Sequence, residues 1–362
     1  MTRTISSLGV EAPGRAYLWS YEEGEVPAGH VQLETLYTGF SAGTELSFVK
    51  GTNPYLHARW DADNGLFVDG EPSASFPVPF LGYMEAARVV GGGAPGLPAG
   101  AIVGATYGHK SGHVADPASE LLTPLPDGVD PILAIYLAQM GPIAANGLLH
   151  ADAEAFGPDV ARLGGSVEGR PVLVFGGGVV GLLLALFAAE AGAAEVVVTD
   201  ASPFRRERIA ALGLTPMTEE EGTKHAKSRW HHGGTDRGAD VVFQTRGHPS
   251  SLANALRALR PQGAVIDLAF YQGGADAVDL GREFHHNGLC IRCAQIGRVP
   301  RGLGARWDRR RLSGETARLL RARGEDIRRE MITHVVPMND APRFIDELVR
   351  ERPDFLQIVF SL

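Results

Sequence analysis

The sequence predicts a two-domain α/β protein in which a β-rich domain accompanies a doubly wound parallel sheet. The chain has 362 residues, which is too long for one ordinary hydrophobic core and sufficient for two. Apolar and polar residues alternate within residues 15–37, as they do in antiparallel strands with one solvated face. From residue 171 onward, continuous apolar segments alternate with helical patterns, which indicates parallel strands covered by helices on both faces.

Composition restricts the functional class. Apolar residues make up 44% of the chain and charged residues 21%, a balance typical of a globular enzyme. The net charge of -8 disfavours a nucleic-acid partner, since phosphate binding needs clustered basic surface. We expect no membrane segment and no signal peptide, and two cysteines give no disulfide framework. A cytoplasmic protein that binds a small molecule is therefore expected.

The expected elements follow the same division. Strands at residues 85–90 and 101–106 flank a turn rich in glycine and proline, and a helical pattern covers residues 131–150. The strands expected in the second domain are residues 172–175, 195–199, 240–244 and 264–268. After them come an arginine-rich helix, a second helix and a final strand, at residues 306–323, 341–350 and 356–360.

A glycine-rich turn between a strand and a helix is the strongest motif. Gly176, Gly178 and Gly181 follow the strand at residues 172–175, and the next strand ends at Asp200. In this arrangement the first glycine permits the turn, the second lets the backbone approach a pyrophosphate, and the third lets helix and strand pack closely. The combination predicts a dinucleotide site on a Rossmann-type sheet, to which Val179, Val180 and Thr245 also belong.

The acidic end of the second strand favours NAD as the cofactor. A carboxylate at Asp200 would accept hydrogen bonds from the adenosine ribose hydroxyls and would repel a 2′-phosphate. Arg205 and Arg206 follow closely and are able to pair with such a phosphate, so NADP stays open as the alternative.

Three further segments resemble landmarks of the medium-chain dehydrogenase/reductase superfamily, the alcohol dehydrogenase-like proteins. They are residues 38–45 (TGFSAGTE), 80–86 (FLGYMEA) and 333–342 (THVVPMNDAP), and the resemblance covers nearly the whole chain. It implies a GroES-like catalytic and substrate domain at residues 1–138 and 299–362, and a Rossmann dinucleotide-binding domain at residues 139–298. It also implies a homodimer.

Two departures from this family pattern predict that zinc is absent. Zinc-dependent members have a cysteine and a histidine as metal ligands. The resemblance places Ser41 and Tyr83 of this chain at those two positions. A hydroxyl and a phenol are poor zinc ligands compared with thiolate and imidazole. The chain in this respect is similar to a zinc-lacking branch that includes bacteriochlorophyllide dehydrogenase-like proteins. Cys290 and Cys293 would lie on opposite faces of a strand, and we interpret them as core residues.

Without zinc, side chains must hold the proton and stabilise the developing alkoxide. Tyr83 or His109 would relay the proton, and Lys110 would lower the pKa of a nearby phenol or polarise the carbonyl. Glu45 has an alternative role as the cap of a helix over residues 46–50. The catalytic candidates are Ser41, Thr44, Glu45, Tyr83, His109 and Lys110.

Two segments are expected to contact substrate. Residues 53–67 predict a loop that carries Tyr55 and Trp60, and residues 293–301 carry Gln295 and Arg298 after the last strand of the sheet. The function predicted is a zinc-independent, NAD(H)-dependent interconversion of a secondary alcohol and a ketone on a polar substrate such as a sugar, a cyclitol or a specialised metabolite. Two alternatives remain: an NAD(P)H-dependent reductase of carbon-carbon double bonds, and an inactive dinucleotide-binding protein.

Overall fold

The computed structural model describes residues 2–351 and 353–362. Its strands are β1 (Arg3–Ala12), β2 (Arg15–Glu23), β3 (Val31–Phe40), β4 (Ala58–Asp61), β5 (Leu66–Asp69), β6 (Glu85–Gly92), β7 (Ile102–Ala105), β8 (Gly112–Ala115), β9 (Thr123–Pro124), β10 (Pro171–Phe175), β11 (Glu195–Thr199), β12 (Thr215–Met217), β13 (His231–Gly233), β14 (Asp236–Arg237), β15 (Ala239–Gln244), β16 (Leu259–Asp267), β17 (Cys290–Cys293), β18 (Ile332–Pro337) and β19 (Gln357–Ser361). Its α-helices are α1 (Ala42–Val49), α2 (Met140–Phe156), α3 (Val179–Glu190), α4 (Pro203–Ala211), α5 (Glu219–Arg229), α6 (Pro249–Ala258), α7 (His285–Asn287), α8 (Arg309–Met331) and α9 (Ala341–Glu351). Within the described residues, no helix has both the length and the apolar character of a membrane span.

The chain forms two compact units. One consists of Met1–Gln139 and Ile332–Leu362, and the other of Met140–Met331. The sequence placed residues 299–331 in the first domain, whereas these contacts group them with the second unit. Packing explains the difference: a Cβ added at Gly141 of α2 would lie 2.1 Å from the side chain of Thr316 in α8.

The second unit contains the predicted doubly wound sheet. Its strands are parallel and lie in the order β12-β11-β10-β15-β16-β17. The buried strands are apolar on both faces because helices cover both sides, which is the pattern that the sequence showed. The strand order reverses between β10 and β15, and ligands of such sheets bind at the carboxyl ends on either side of this switch point.

The first unit contains a mixed sheet in the order β18-β19-β3-β6-β7-β9, with β8 beside β3, and a separate hairpin of β1 and β2. The C-terminal strand β19 runs antiparallel to β3 and parallel to β18. The residues that close this sheet therefore come from both ends of the chain.

Two sequence-based predictions are wrong. The loop expected at residues 53–67 is a short 3₁₀ helix, Pro54–Leu56, followed by the β4–β5 hairpin. The two cysteines are not core residues, because β17 lies at the edge of its sheet: Cys290 is half-buried and Cys293 is exposed, and both are free thiols.

Candidate active site and cofactor site

The turn after β10 needs two of its glycines for the fold itself. Gly176 has a φ of 103°, and a Cβ there would lie 2.7 Å from the hydroxyl of Thr245. A Cβ at Gly181 would lie 1.9 Å from the carbonyl oxygen of Gly176, so α3 packs directly on the turn. Thr245 fixes the same turn by donating its hydroxyl to the carbonyls of Phe175 and Gly176, at 2.8 and 3.0 Å.

Contacts within the protein do not require a glycine at Gly178. Gly178 has ordinary extended backbone angles, and a Cβ there would meet no described atom closer than the Arg205 guanidinium at 3.9 Å. It is the N-cap of α3 and provides no side-chain cap, so the N–H groups of the first turn, which includes Val179 and Val180, receive no hydrogen bond from it. Open space in front of uncapped helix amides suits the pyrophosphate of a dinucleotide.

Asp200 lies at the end of β11, where the sequence predicted the ribose-binding carboxylate. Its Oδ2 atom accepts the amide N–H of Gly177 at 3.0 Å, and its Oδ1 atom accepts that of Ser202 at 2.9 Å. These bonds fix the orientation of the carboxylate and leave Oδ1 a further lone pair for a ribose hydroxyl, whereas Oδ2 also accepts from the Arg205 guanidinium at 3.5 Å.

The two arginines after Asp200 differ in their partners. Arg206 donates to the backbone carbonyls of Asp200 and Ala201, both at 2.8 Å, and this ties its guanidinium to the protein. The Arg205 guanidinium lies 3.5 Å from the Asp200 carboxylate and close to the open side of Gly178. Of these two arginines, Arg205 is therefore the one that lies beside the open side of Gly178.

In the first unit, the structure brings three of the predicted catalytic hydroxyls together. Ser41 precedes α1, and its hydroxyl forms a hydrogen bond with the phenol of Tyr83, which also donates to the hydroxyl of Thr44 at 3.2 Å. Burial and then the charge of Glu45 raise the pKa of Tyr83 to about 12. The phenol therefore keeps its proton at neutral pH.

Glu45 and His109 form a buried pair beside these hydroxyls. Glu45 accepts the backbone N–H of Ser41 at 2.7 Å, close to the capping role expected for it, although the helix begins earlier, at Ala42. Its other oxygen lies 2.6 Å from Nε2 of His109, whose Nδ1 lies 2.6 Å from the hydroxyl of Thr38. His109 is fully buried with both ring nitrogens engaged, so it has no nitrogen left for direct proton exchange with a substrate.

Lys110 points to a different part of the first unit. Its ammonium lies 4.5 Å from the ring centroid of Phe80 and 5.9 Å from that of Tyr21. Burial lowers the pKa of Lys110, against the charges of Glu85, Glu23 and Glu120. The expected lowering of a phenol pKa by Lys110 is not found at Tyr83, whose pKa is raised instead.

The donors at this site do not fit zinc. The Ser41 and Tyr83 hydroxyls bind each other, the phenol of Tyr83 retains its proton, and the Glu45 oxygens and His109 nitrogens already have partners. Zinc requires thiolate, neutral imidazole or carboxylate donors with accessible lone pairs. In the part of the chain that the structure describes, no group of three or more His, Cys, Asp or Glu side chains is arranged to hold a metal ion.

The predicted substrate residues of the first unit lie on an exposed aromatic surface. The ring of Phe67 in β5 lies 5.6 Å from that of Tyr55 and 5.0 Å from that of Trp60. These three side chains are 40 to 49% exposed, which is unusual for packed aromatic rings. The hairpin thus presents apolar faces to solvent at the position where a substrate loop was expected.

The predicted substrate residues of the second unit follow β17. Buried Asn146 of α2 donates its amide N–H groups to the backbone carbonyls of Ala294, Gln295 and Arg298, at 3.2 to 3.4 Å. The Gln295 side chain accepts the N–H of Gly297 at 2.6 Å. Asn146 therefore fixes the segment that carries Gln295 and Arg298.

Sequence reasoning missed two residues of the site, Thr38 and Glu85. The two are directly opposite each other in the antiparallel pairing of β3 with β6, and both side chains are fully buried. No local pattern carries this information, since the strand register brings residues 47 positions apart into contact.

Comparisons with known proteins identify dehydrogenases as similar proteins. A family model described as zinc-binding dehydrogenase matches residues 179–301, which lie wholly in the second unit and exclude Ser41 and Tyr83. D-guloside 3-dehydrogenase of Escherichia coli (strain K12) is 25% identical to the chain over 360 residues, which is 97% of each protein.

Solved structures share the fold at lower identity. The alcohol dehydrogenase TADH from Thermus sp. ATN1 has a TM-score of 0.72 at 18% identity and matches over 99% of both chains. An alcohol dehydrogenase from E. coli CFT073 complexed with the cofactor NADH has a TM-score of 0.71 at 15% identity, also over 99% of both chains. These likenesses confirm the predicted combination of a Rossmann-type sheet with a β-rich domain.

Proposed function

This chain belongs to the medium-chain dehydrogenase/reductase superfamily and is an NAD(P)-dependent dehydrogenase, and we propose that it interconverts a sugar- or polyol-type secondary alcohol and its ketone with NAD(H) and without zinc. The observation that carries the proposal is the hydroxyl cluster of Tyr83, Ser41 and Thr44. By resemblance, Ser41 and Tyr83 stand where zinc-dependent members of the family have a thiolate and an imidazole. The whole-length relative that acts on a D-guloside supports a substrate of the sugar class.

Proton handling is assigned to the first unit. When a ketone is reduced, the Tyr83 phenol donates its proton to the carbonyl oxygen, and hydrogen bonds from Ser41 and Thr44 replace the lost interaction at the phenolate. In the oxidative direction the same step runs in reverse, and the Tyr83 phenolate accepts the proton of the alcohol. Glu45 holds Ser41 by its backbone amide and thereby fixes the position of the serine hydroxyl relative to Tyr83.

Cofactor binding is assigned to the second unit. The bound nicotinamide supplies the carbon that accepts or delivers hydride. The uncapped first turn of α3 at Gly178 would hold the pyrophosphate, and Asp200 would accept the ribose hydroxyls. Tyr55, Trp60, Gln295 and Arg298 are proposed to contact the substrate, the first two by packing their exposed rings on the apolar face of a sugar.

Turnover in the presence of a strong chelator tests the absence of zinc. We expect the purified enzyme to oxidise members of a panel of polyols and glycosides with NAD⁺, to contain zinc far below one equivalent, and to keep its rate after dialysis against the chelator. Elemental mass spectrometry and NADH absorbance provide the measurements. Stoichiometric zinc, together with loss of activity on its removal, would contradict the proposal.

The identity of the cofactor is tested at Asp200. Replacement by asparagine keeps an oxygen that can accept one of the two backbone N–H bonds but removes the charge that orients ribose hydroxyls and repels a 2′-phosphate. We expect Asp200→Asn to bind NADH about 10-fold more weakly and to bind NADPH more tightly than the wild type does. Fluorescence titration measures both, with Asp116→Asn as a control at an exposed turn of the first unit. Equal weakening of NADH and NADPH binding would show that Asp200 does not select the cofactor.

We further propose a homodimer in a reducing cytoplasm. The exposed thiol of Cys293 and the half-buried thiol of Cys290 would be vulnerable in an oxidising compartment.

A further inference from the structure

Hydrogen bonds connect four buried side chains, which come from α1, β3, β6 and the segment before β8. Glu85 Oε1 lies 3.0 Å from the hydroxyl of Thr38, which lies 2.6 Å from Nδ1 of His109. Nε2 of His109 lies 2.6 Å from Glu45. Thr38, Glu85 and His109 are fully buried and Glu45 is 1% exposed, so solvent does not interrupt these hydrogen bonds.

The hydrogen bonds allow two arrangements of the same protons. If the Thr38 hydroxyl donates to Glu85, it must accept an N–H from His109, and the ring then carries a proton on both nitrogens. If the hydroxyl donates to His109, Glu85 must carry the proton and donate it to Thr38. One proton leaves Glu85 for the hydroxyl as another leaves the hydroxyl for Nδ1, so the exchange needs no proton from outside. In both arrangements Nε2–H donates to an ionised Glu45.

Neighbouring groups hold the His109 ring in the orientation that makes both of these hydrogen bonds. Gly82 has a φ of 93°, and a Cβ there would lie 2.9 Å from three atoms of the His109 ring, so the backbone lies against one face. Phe40 stacks with a ring separation of 6.3 Å, and Phe360 lies edge-on at 5.5 Å. Rotation of the ring away from Thr38 and Glu45 would collide with these neighbours.

Of the two carboxyl groups in this hydrogen-bonded group, that of Glu85 has the environment less favourable to a negative charge. Its Oε2 atom is buried and, among the described residues, makes no hydrogen bond of normal geometry. Burial raises the pKa of Glu85 to about 7, against the charge of His109 and the donors Gly108, Thr38 and Met84. Burial alone would lower the pKa of His109, but the charge and hydrogen bond of Glu45 and the charge of Glu85 raise it. The ionisable groups that interact with Glu85 are His109, Tyr83, Tyr107 and Lys110.

We propose that Glu85 and Thr38 are positioning residues that share one proton with His109 through the Thr38 hydroxyl. Wherever this proton lies, the net charge of Glu45, His109 and Glu85 together stays the same near Tyr83. The inference rests on the proposed function only for its effect on the rate. When the shared proton is lost at high pH, Glu45 and Glu85 are both charged and His109 no longer carries a positive charge. The added net negative charge holds the proton more tightly on the Tyr83 phenol. Reduction of the ketone should therefore slow as the shared proton is lost.

Two substitutions distinguish proton sharing from a purely structural role of Glu85 and Thr38. Glu85→Gln mimics protonated Glu85 and prevents the second negative charge, and Thr38→Val removes the hydroxyl while keeping the shape. We expect Glu85→Gln to move the alkaline limb of kcat for ketone reduction upward by about one pH unit or more. We expect Thr38→Val to lower kcat about 10-fold and Thr38→Ser to restore it, because serine keeps the hydroxyl. Glu34→Gln, at an exposed position of β3, is the control for the same chemical change.

Nitrogen NMR of His109 in the substrate-free enzyme reports the protonation state of its ring nitrogens directly. We expect one titration shared by Nδ1 and the Glu85 carboxyl in the wild type, its loss in Glu85→Gln, and a shift of its midpoint in Thr38→Val. An unchanged His109 titration in both variants overturns the sharing, and an altered titration with an unchanged pH profile of kcat overturns the positioning role. If the wild type turns over no secondary alcohol or ketone, the proposed function fails, and the NMR result still decides whether the proton is shared.

Discussion

Gly178→Val is expected to abolish cofactor binding while leaving the protein folded. The backbone of Gly178 suits any residue, and an added side chain would project into space that no described atom occupies within 3.9 Å. A bound pyrophosphate would need that space, and its hydrogen bonds to the first turn of α3 would be lost. We expect the dissociation constant of NADH to rise about 100-fold or more, with an unchanged melting temperature.

Two other glycines serve as controls for this experiment. Gly304→Val places the same side chain in open space away from the turn and should leave both affinity and stability unchanged. Gly181→Val should destabilise the fold, because its Cβ would collide with the Gly176 carbonyl. If Gly178→Val binds NADH normally, the pyrophosphate does not lie at the start of α3.

Tyr83→Phe is expected to remove most of the catalytic rate. The substitution deletes the proton that the phenol would donate, and it leaves Ser41 and Thr44 without their shared partner. General acid-base catalysis of this kind contributes about 100- to 10,000-fold, so we expect kcat to fall about 1000-fold with little change in KM. Steady-state kinetics on the substrate found in the panel provide the measurement.

The control and the contrary result are both simple to obtain. Tyr21→Phe changes a tyrosine of the same unit that packs near Phe80 and Lys110, and it should retain full activity. A Tyr83→Phe enzyme with near-normal kcat would show that another group transfers the proton, and would remove the main argument for the proposed chemistry.

The second unit was predicted well because its signals are local. A buried parallel strand is apolar along its whole length, and the turn at Gly176 is specified by a few neighbouring residues. The proposed catalytic cluster is different, since the pairing of β3 with β6 brings Thr38 to Glu85, and the sequence does not state that register. Cluster membership was predicted for Ser41, Thr44, Glu45, Tyr83 and His109 through a family resemblance, whereas their hydrogen-bond partners came only from the structure.

The remaining errors also have physical causes. Lys110 follows His109 directly, yet its ammonium lies against Phe80 while the His109 ring contacts Glu45 and Thr38, because sequence adjacency does not fix the direction of a side chain. Cys293 is exposed since it lies on an edge strand, and a strand pattern does not say whether a neighbour covers it. Helix α8 groups with the second unit through its packing on α2, a contact between distant segments of the chain.

The position of β19 has a consequence for how the enzyme becomes active during its synthesis. The second unit is one continuous stretch, Met140–Met331, and is able to fold as soon as it leaves the ribosome. The first unit must wait, because residues 37–40 of β3 have no partner on one side until β19 is made, whereas residues 31–34 pair with β8. The same strand delivers Phe360 to the ring of His109. A nascent chain would therefore acquire the fold of its second unit first and its proposed proton-transfer cluster only after β19 has been made.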